Sequence, residues 1–99
     1  MPSPRIEVVF SPSAQREMED LDIRAALQIT QDIKTYLSFP IQRFGKTRLK
    51  KLTGFTPPLY RLRSGDYRIY YRIVERVVVI LAITQKKDSE KMLKTMKSG

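Results

Sequence analysis

The chain has 99 residues, 41% of them hydrophobic, and a formal net charge of +9, which suits one folded domain with a modest core. It contains neither cysteine nor histidine, so disulfides, thiolate chemistry and the usual zinc ligands are excluded. Because no long apolar run or signal-peptide pattern is visible, we expect a cytoplasmic protein without metal or cofactor, with residues 1–99 forming a single domain.

The first forty residues predict a strand and two helices. Residues 5–10 alternate weakly and suit a strand, after which Ser11 can cap a helix that begins at Pro12. Asp22 can cap a second helix, which should stop near Phe39 and Pro40 because the residue before proline disfavours helical geometry. The predicted apolar face of this second helix consists of Ile23, Ala26, Leu27, Thr30, Ile33 and Leu37.

Residues 41–58 predict an irregular, strongly basic connection. Gly45 and Gly54 mark turns, and Leu49 and Leu52 are expected to anchor the connection to the core. We expect its basic side chains to contact nucleic-acid backbone without base specificity. These side chains are Arg43, Lys46, Arg48, Lys50 and Lys51.

Residues 59–73 have the pattern of a tight β-hairpin, with two runs of aromatic and branched residues around Ser64, Gly65 and Asp66. Alternation with period two places Arg61 and Arg63 on one side of the first strand. On the return strand, the side chains that share one side are Arg68, Tyr70 and Arg72. If these two sides coincide, the hairpin presents four guanidinium groups on a surface suited to phosphate.

The rest of the chain predicts one more strand and one more helix. A turn at Glu75 and Arg76 precedes a continuous apolar run over residues 77–83, typical of a strand covered on both faces. Asp88 or Ser89 can then cap a final helix. The predicted fold is α+β: a single domain of order β-α-α-β-β-β-α, with a largely antiparallel sheet and an N-terminal helical hairpin packed on one face.

The charge is unevenly distributed along the chain. Residues 1–40 carry four basic and six acidic residues, a balance of −2, whereas residues 41–99 carry fifteen basic and four acidic residues, a balance of +11. The second part therefore creates a field that attracts polyanions, and its interleaved tyrosines favour nucleic acid.

The central motif resembles the RelE/ParE superfamily of toxins. The resemblance is carried by residues 52–54 (Leu-Thr-Gly), 60–63 (Tyr-Arg-Leu-Arg), 65–71 (Gly-Asp-Tyr-Arg-Ile-Tyr-Tyr) and the two lysines that follow the last strand, and it is strongest over residues 45–88. It implies the toxin of a type II toxin–antitoxin system, neutralised by a cognate antitoxin that is acidic and partly disordered, with which it would form an oligomer.

Two branches of the superfamily imply different functions. The RelE branch consists of ribosome-dependent mRNA endoribonucleases, which inhibit translation, and the ParE branch inhibits DNA gyrase without nuclease activity. The resemblance to RelE implies phosphate and transition-state roles for Arg61, Arg63, Arg68 and Lys87, with Lys86 as a neighbouring contact. A metal-free attack by the ribose 2′-hydroxyl needs such charge stabilisation and also two proton transfers.

Two departures from the RelE pattern concern proton transfer. The C-terminal helix carries Met92 and Leu93 where a tyrosine or histidine is common, and Lys86 and Lys87 replace a His-Arg pair. Lys87 and Tyr70 are the candidates that remain. The RelE-like nuclease is the favoured interpretation, and the alternatives are a ParE-like gyrase inhibitor and a catalytically weakened nucleic-acid-binding relative.

Overall fold

A computed structural model describes residues 6–38 and 48–98 of the chain. Its elements, in order, are β1 (Glu7–Phe10), α1 (Pro12–Glu19), α2 (Ile23–Leu37), β2 (Leu49–Leu52), β3 (Leu59–Ser64), β4 (Tyr67–Val74), β5 (Val77–Gln85), a 3₁₀ turn (Lys86–Asp88) and α3 (Ser89–Ser98). The α+β fold class is confirmed. No helix within the described ranges is long and apolar enough to cross a membrane.

The five strands form one sheet in the order β1-β5-β4-β3-β2. The pair β1 and β5 is parallel, whereas the other three pairs are antiparallel, so the sheet is largely antiparallel as predicted. The β3–β4 hairpin, which carries Arg61, Arg63, Arg68 and Arg72, lies inside the sheet, between β5 and β2. It therefore has strand neighbours on both sides and forms a rigid platform.

Strand β2 corrects the prediction that residues 41–58 are irregular. Leu49 is buried and Leu52 is partly buried, as expected for anchors, but the four residues from Leu49 to Leu52 also pair with β3. Two adjacent lysines interrupt any alternation in this segment, so its sequence carries no strand signal. Its extended conformation depends on backbone hydrogen bonds to a neighbouring strand.

Both predicted helix caps are confirmed. The Ser11 side chain accepts a hydrogen bond from the Ala14 N–H (3.1 Å), and Asp22 Oδ1 accepts one from the Ala25 N–H (2.8 Å). Each oxygen satisfies one of the N–H groups that the first helical turn leaves without an intrahelical partner. The short link between these caps makes α1 and α2 a helical hairpin.

The predicted apolar face of α2 is wrong in its first half. Helix α2 buries the row Ala25, Ile29, Ile33 and Leu37, spaced at four-residue intervals. Ile23 and Leu27 were expected in the core but are 75% and 64% exposed. The prediction joined residues from two apolar rows, and packing against the sheet selects the row that runs the full length of the helix.

The two faces of the sheet have separate cores. The helical hairpin covers one face, where Ile29, Leu62 and Ile80 belong to the larger cluster of buried residues. On the other face, Leu59, Tyr70 and Ala82 form a smaller cluster, against which side chains of α3 pack. These side chains are Met92, Leu93 and Met96. The sheet is therefore sandwiched between helices over part of each face, as the apolar β5 sequence predicted.

Candidate functional site

The β3–β4 hairpin closes through the two-residue turn predicted at Gly65 and Asp66. Ser64 pairs with Tyr67, and Gly65 has a φ of +58°, in the left-handed region that favours glycine. A glycine with positive φ at the first central position is the mark of the turns that match the twist of adjacent strands. The turn fixes the register in which β3 and β4 pair.

The register brings the arginines of both strands to one face of the sheet. Arg63 lies opposite Arg68, and Arg61 lies opposite Tyr70. Directly paired residues point to the same side, so the predicted coincidence of the two arginine sides is confirmed. Arg72, two residues beyond Tyr70 on β4, has the same parity. We call the surface formed by Arg61, Arg63, Arg68 and Arg72 the cationic face.

Arg68 is anchored by the turn that precedes it. Its side chain is only 8% exposed, and its Nη1 donates hydrogen bonds to the carbonyls of Gly65 and Tyr67, both at 2.9 Å. These two bonds use both hydrogens of Nη1 and leave those of Nη2 and Nε. Burial lowers the pKa of Arg68, and the nearby charges of Arg61 and Arg63 lower it further. The guanidinium is thus held in place among like charges.

The other arginines of this face retain unused donors. The Nε atoms of Arg61 and Arg72 are buried, with no hydrogen-bond partner in the described structure. Arg63 is exposed. Among residues 6–38 and 48–98, no carboxylate forms an ion pair with Arg61, Arg63 or Arg68. The exposed Arg63 side chain is therefore accessible to an external anion.

Lys86 and Lys87 lie beside the hairpin turn. The backbone N–H of Lys86 donates to the Asp66 carbonyl (2.7 Å), which ties the end of β5 to the turn. An open pocket of about 520 Å³ is lined, in the described part of the chain, by Asp66, Gln85, Lys86 and Lys87. Thr84 of β5 pairs with Arg68 of the cationic face. Lys86 and Lys87 are the second and third residues after Thr84, so they follow closely on a strand position next to that face.

The basic connection predicted to bind nucleic acid divides between different surfaces. Lys50 pairs with Arg61 and shares the cationic face, whereas Lys51 pairs with Tyr60 and points to the opposite face. The Arg48 guanidinium lies 5.6 Å from the centre of the Tyr36 ring, a cation–π distance. Arg43 and Lys46 lie outside the described residues. Only Lys50 is therefore shown to extend the cationic face.

Tyr70 does not have the environment of a proton-transfer group. Its side chain has no exposed surface and belongs to the cluster packed under α3. This burial disfavours Tyr70 as the proton-transfer group, because its hydroxyl has no accessible surface in the structure. Tyr60 and Tyr71 stack on the opposite face with ring centres 5.5 Å apart, and burial raises the pKa of Tyr71. These tyrosines are structural.

Sequence reasoning omitted two contributors from the predicted site. The alternation of β4 already places Arg72 on the same side as Arg68, and this pattern was sufficient to add Arg72 to the predicted site residues. Ser64, which is fully buried, donates a hydrogen bond to Asp32 Oδ2 on α2 at 2.6 Å. This contact joins positions thirty-two residues apart, and nothing in the sequence around Asp32 indicates it.

The arrangement suits phosphate and offers no evident metal site. Arginine keeps its charge at all physiological pH values, and its planar fork can hold two phosphate oxygens at once. Within the described ranges, no group of three or more acidic side chains is placed to hold a metal ion.

Solved structures share this fold. A RelE–RelB complex from Pyrococcus horikoshii OT3 is 24% identical and aligns over 81% of this chain and 93% of its own, with a TM-score of 0.64. The Mycobacterium tuberculosis RelBE2 toxin–antitoxin complex is 25% identical over 83% and 99%, with a TM-score of 0.59. A mutant Escherichia coli RelE in the free state is 20% identical over 96% and 98%, with a TM-score of 0.63.

At the level of sequence, no protein of curated function matches the chain. Residues 8–89 match the family model described as the ParE toxin of the type II toxin–antitoxin system parDE. This match spans the sheet, the helical hairpin and the whole cationic face. The chain therefore belongs to the ParE toxin family, and it is a type II toxin–antitoxin toxin of the RelE/ParE superfamily.

Proposed function

We propose that this toxin is a RelE-like, ribosome-dependent mRNA endoribonuclease that inhibits translation in the cytoplasm. The observation that carries the proposal is the pairing of Arg63 with Arg68, with Arg61 on the same face and no carboxylate of the described residues paired to any of the three. A face on which several guanidinium groups lie close together suits the negative charge that develops on a phosphodiester at its transition state.

The proposed cleavage uses the substrate's own nucleophile. The ribose 2′-oxygen attacks the adjacent phosphorus, the bond to the 5′-oxygen of the next nucleotide breaks, and a 2′,3′-cyclic phosphate and a 5′-hydroxyl result. Negative charge grows on the phosphorane oxygens during this step. Arg61 and Arg63 would bind those oxygens, and the loss of one such donor typically costs about 100- to 1000-fold in rate.

Proton transfer is assigned to the lysines that follow β5. The 2′-hydroxyl must lose a proton and the departing 5′-oxygen must gain one, each transfer contributing about 100- to 10,000-fold. Lys87 is exposed and lines the pocket beside the turn, with Lys86 adjacent. Lys87 is therefore the proposed proton donor or acceptor.

An antitoxin is the proposed protein partner. The relatives from P. horikoshii and M. tuberculosis were solved as complexes of toxin and antitoxin. An acidic, partly disordered segment could neutralise the cationic face, or it could add a strand at β1 or β2, which are the two edges of the sheet. Either contact would keep the toxin away from the ribosome and its mRNA.

A ParE-like inhibitor of DNA gyrase is the second candidate. The family model that matches residues 8–89 carries the ParE description, and Tyr70, one of two proton-transfer candidates, is buried. In this function the cationic face would bind a protein or DNA surface without cleaving anything. A catalytically weakened nucleic-acid-binding relative would use the same surface.

Induced expression separates these functions. We expect mRNA 5′ ends phased with codons, together with normal plasmid supercoiling. Altered supercoiling without new mRNA ends would select the gyrase inhibitor, and neither effect would select the weakened relative. Purified ribosomes programmed with a defined mRNA provide the control, since a ribosome-dependent enzyme leaves the same mRNA intact when ribosomes are omitted.

A further inference from the structure

The end of strand β3 is held from the side of the sheet opposite to the cationic face. Ser64 has the parity of Leu62 and points toward the helical hairpin, where its hydroxyl donates to Asp32 Oδ2. The distance of 2.6 Å is that of a charge-assisted bond between a hydroxyl and a carboxylate. Ser64 has no exposed surface, so Asp32 supplies the acceptor for a hydroxyl that is buried in the folded domain.

The next residue of the turn rests on the same helix. A Cβ atom built on Gly65 would lie 2.5 Å from Gln28 Nε2, which shows that the backbone of the turn touches the Gln28 side chain. Gln28 and Asp32 are four residues apart and therefore neighbours on one side of α2. Two consecutive hairpin residues thus dock on two consecutive turns of α2.

This docked turn fixes the groups of the proposed site. The Gly65 carbonyl accepts from Nη1 of Arg68, and the Asp66 carbonyl accepts from the Lys86 N–H. A displacement of the turn therefore moves both Arg68 and the start of the Lys86–Lys87 segment. Asp32 touches none of these groups directly.

We infer that Asp32 is a positioning residue: through Ser64 it holds the β3–β4 turn, and through the turn it sets the geometry of Arg68 and of the lysines after β5. The kinetic part of this inference rests on the proposed nuclease function. The geometric part does not, because the hydrogen bonds from Ser64 to Asp32, from Arg68 to Gly65 and from Lys86 to Asp66 exist whatever the toxin's target is.

The test compares Asp32→Ala, Asp32→Asn and Ser64→Ala with Glu19→Gln, an exposed carboxylate of α1 whose loss raises the net charge equally. Ribosome-dependent cleavage is measured at saturating and limiting mRNA. A misplacement of catalytic groups by about 1 Å costs roughly 100-fold, so we expect Asp32→Ala and Ser64→Ala to lower kcat by about that factor with KM little changed. Asp32→Asn keeps an acceptor and should retain most of the activity, and Glu19→Gln should retain all of it.

A double variant tests the route through Ser64. If Asp32 acts only by holding Ser64, the Asp32→Ala/Ser64→Ala protein should lose no more kcat than the worse single variant. Multiplied losses would overturn the route. Wild-type kcat in folded Asp32→Ala, or in Ser64→Ala if the former does not fold, would overturn the positioning role.

Amide hydrogen exchange separates this inference from the proposed function. Exchange at Lys86, whose N–H is bonded to the Asp66 carbonyl, should be faster in Ser64→Ala and Asp32→Ala than the change in global stability accounts for. Absence of cleavage by the wild type would remove the nuclease but leave this prediction intact. Unaltered Lys86 exchange in both variants would overturn the positioning of the turn, whatever the wild type cleaves.

Discussion

Arg68 stabilises the same backbone that holds it. Its Nη1 bonds two carbonyls of the hairpin turn, and its remaining nitrogens belong to the cationic face. A buried guanidinium is stable only when it is hydrogen-bonded, and here the turn supplies those bonds. Arg68 consequently contributes both to the fold and to the field presented to a phosphate.

Replacing Arg68 by alanine should therefore reduce both stability and toxicity. Loss of hydrogen bonds from a charged, buried group to backbone carbonyls is expected to cost about 1–3 kcal/mol of unfolding free energy, measured by urea titration. We expect growth arrest on induction to weaken sharply while the protein remains folded. Full toxicity of a folded Arg68→Ala protein would remove Arg68 from the mechanism.

Tyr70, unlike Arg68, is expected to contribute to stability alone. Because its side chain is fully buried, Tyr70→Phe should leave growth arrest and mRNA cleavage unchanged, whereas Tyr70→Ala should cost about 3–5 kcal/mol through the cavity left under α3. Growth assays and thermal unfolding of the two variants measure these effects. Loss of cleavage in a stable Tyr70→Phe protein would restore a catalytic role to the hydroxyl.

One side of helix α2 contacts both the larger core and the hairpin turn. Its row Ala25, Ile29, Ile33 and Leu37 fills the larger core, while Gln28 and Asp32 reach the hairpin turn. Ile23 and Leu27 contribute to neither and are exposed. At the scale of elements, the orientation of α2 therefore decides both the core and the support of the turn.

A matched pair of alanine substitutions tests this orientation. Ile29→Ala removes a fully buried side chain and should cost about 2–5 kcal/mol of unfolding free energy. Leu27→Ala changes an exposed position of the same helix and should stay within about 0.5 kcal/mol of the wild type. Urea titrations of both proteins give the comparison. A larger loss for Leu27→Ala than for Ile29→Ala would mean that α2 packs through the face predicted from the sequence.

In the molecule as a whole, the two faces of the sheet carry different numbers of basic side chains. Lys50 and the hairpin arginines lie on one face, whereas Lys51 lies on the face that carries the helical hairpin. The first forty residues, which supply that hairpin, carry a balance of −2. A polyanion is therefore directed to the cationic face by the molecule's overall field.

The adjacent lysines Lys50 and Lys51 test this sorting. Each phosphate contact with single-stranded RNA adds about 0.7 to the slope of log affinity against log salt concentration. We expect Lys50→Gln to reduce that slope by about this amount and Lys51→Gln to leave it unchanged. Binding of a short single-stranded RNA, titrated at several salt concentrations, provides the measurement. Equal effects would show that the RNA does not distinguish the two faces.

The local features of this fold follow from short-range sequence patterns. Capping residues, alternation and turn chemistry act over a few neighbours, which is why the caps at Ser11 and Asp22, the turn at Gly65 and the shared side of Arg61 and Arg63 were predicted correctly. The family resemblance could be recognised for the same reason, because most of its motif lies along one hairpin.

Features that depend on distant partners follow from the packing of the folded chain. Strand β2 exists because it pairs with β3, and α2 buries its longer apolar row because the sheet lies on that side. The burial of Tyr70 required α3 to pack across the sheet, and the bond between Ser64 and Asp32 joins residues 32 positions apart in the chain. Packing selects among arrangements that are equivalent at the level of local sequence, and long-range contacts are what distinguish them.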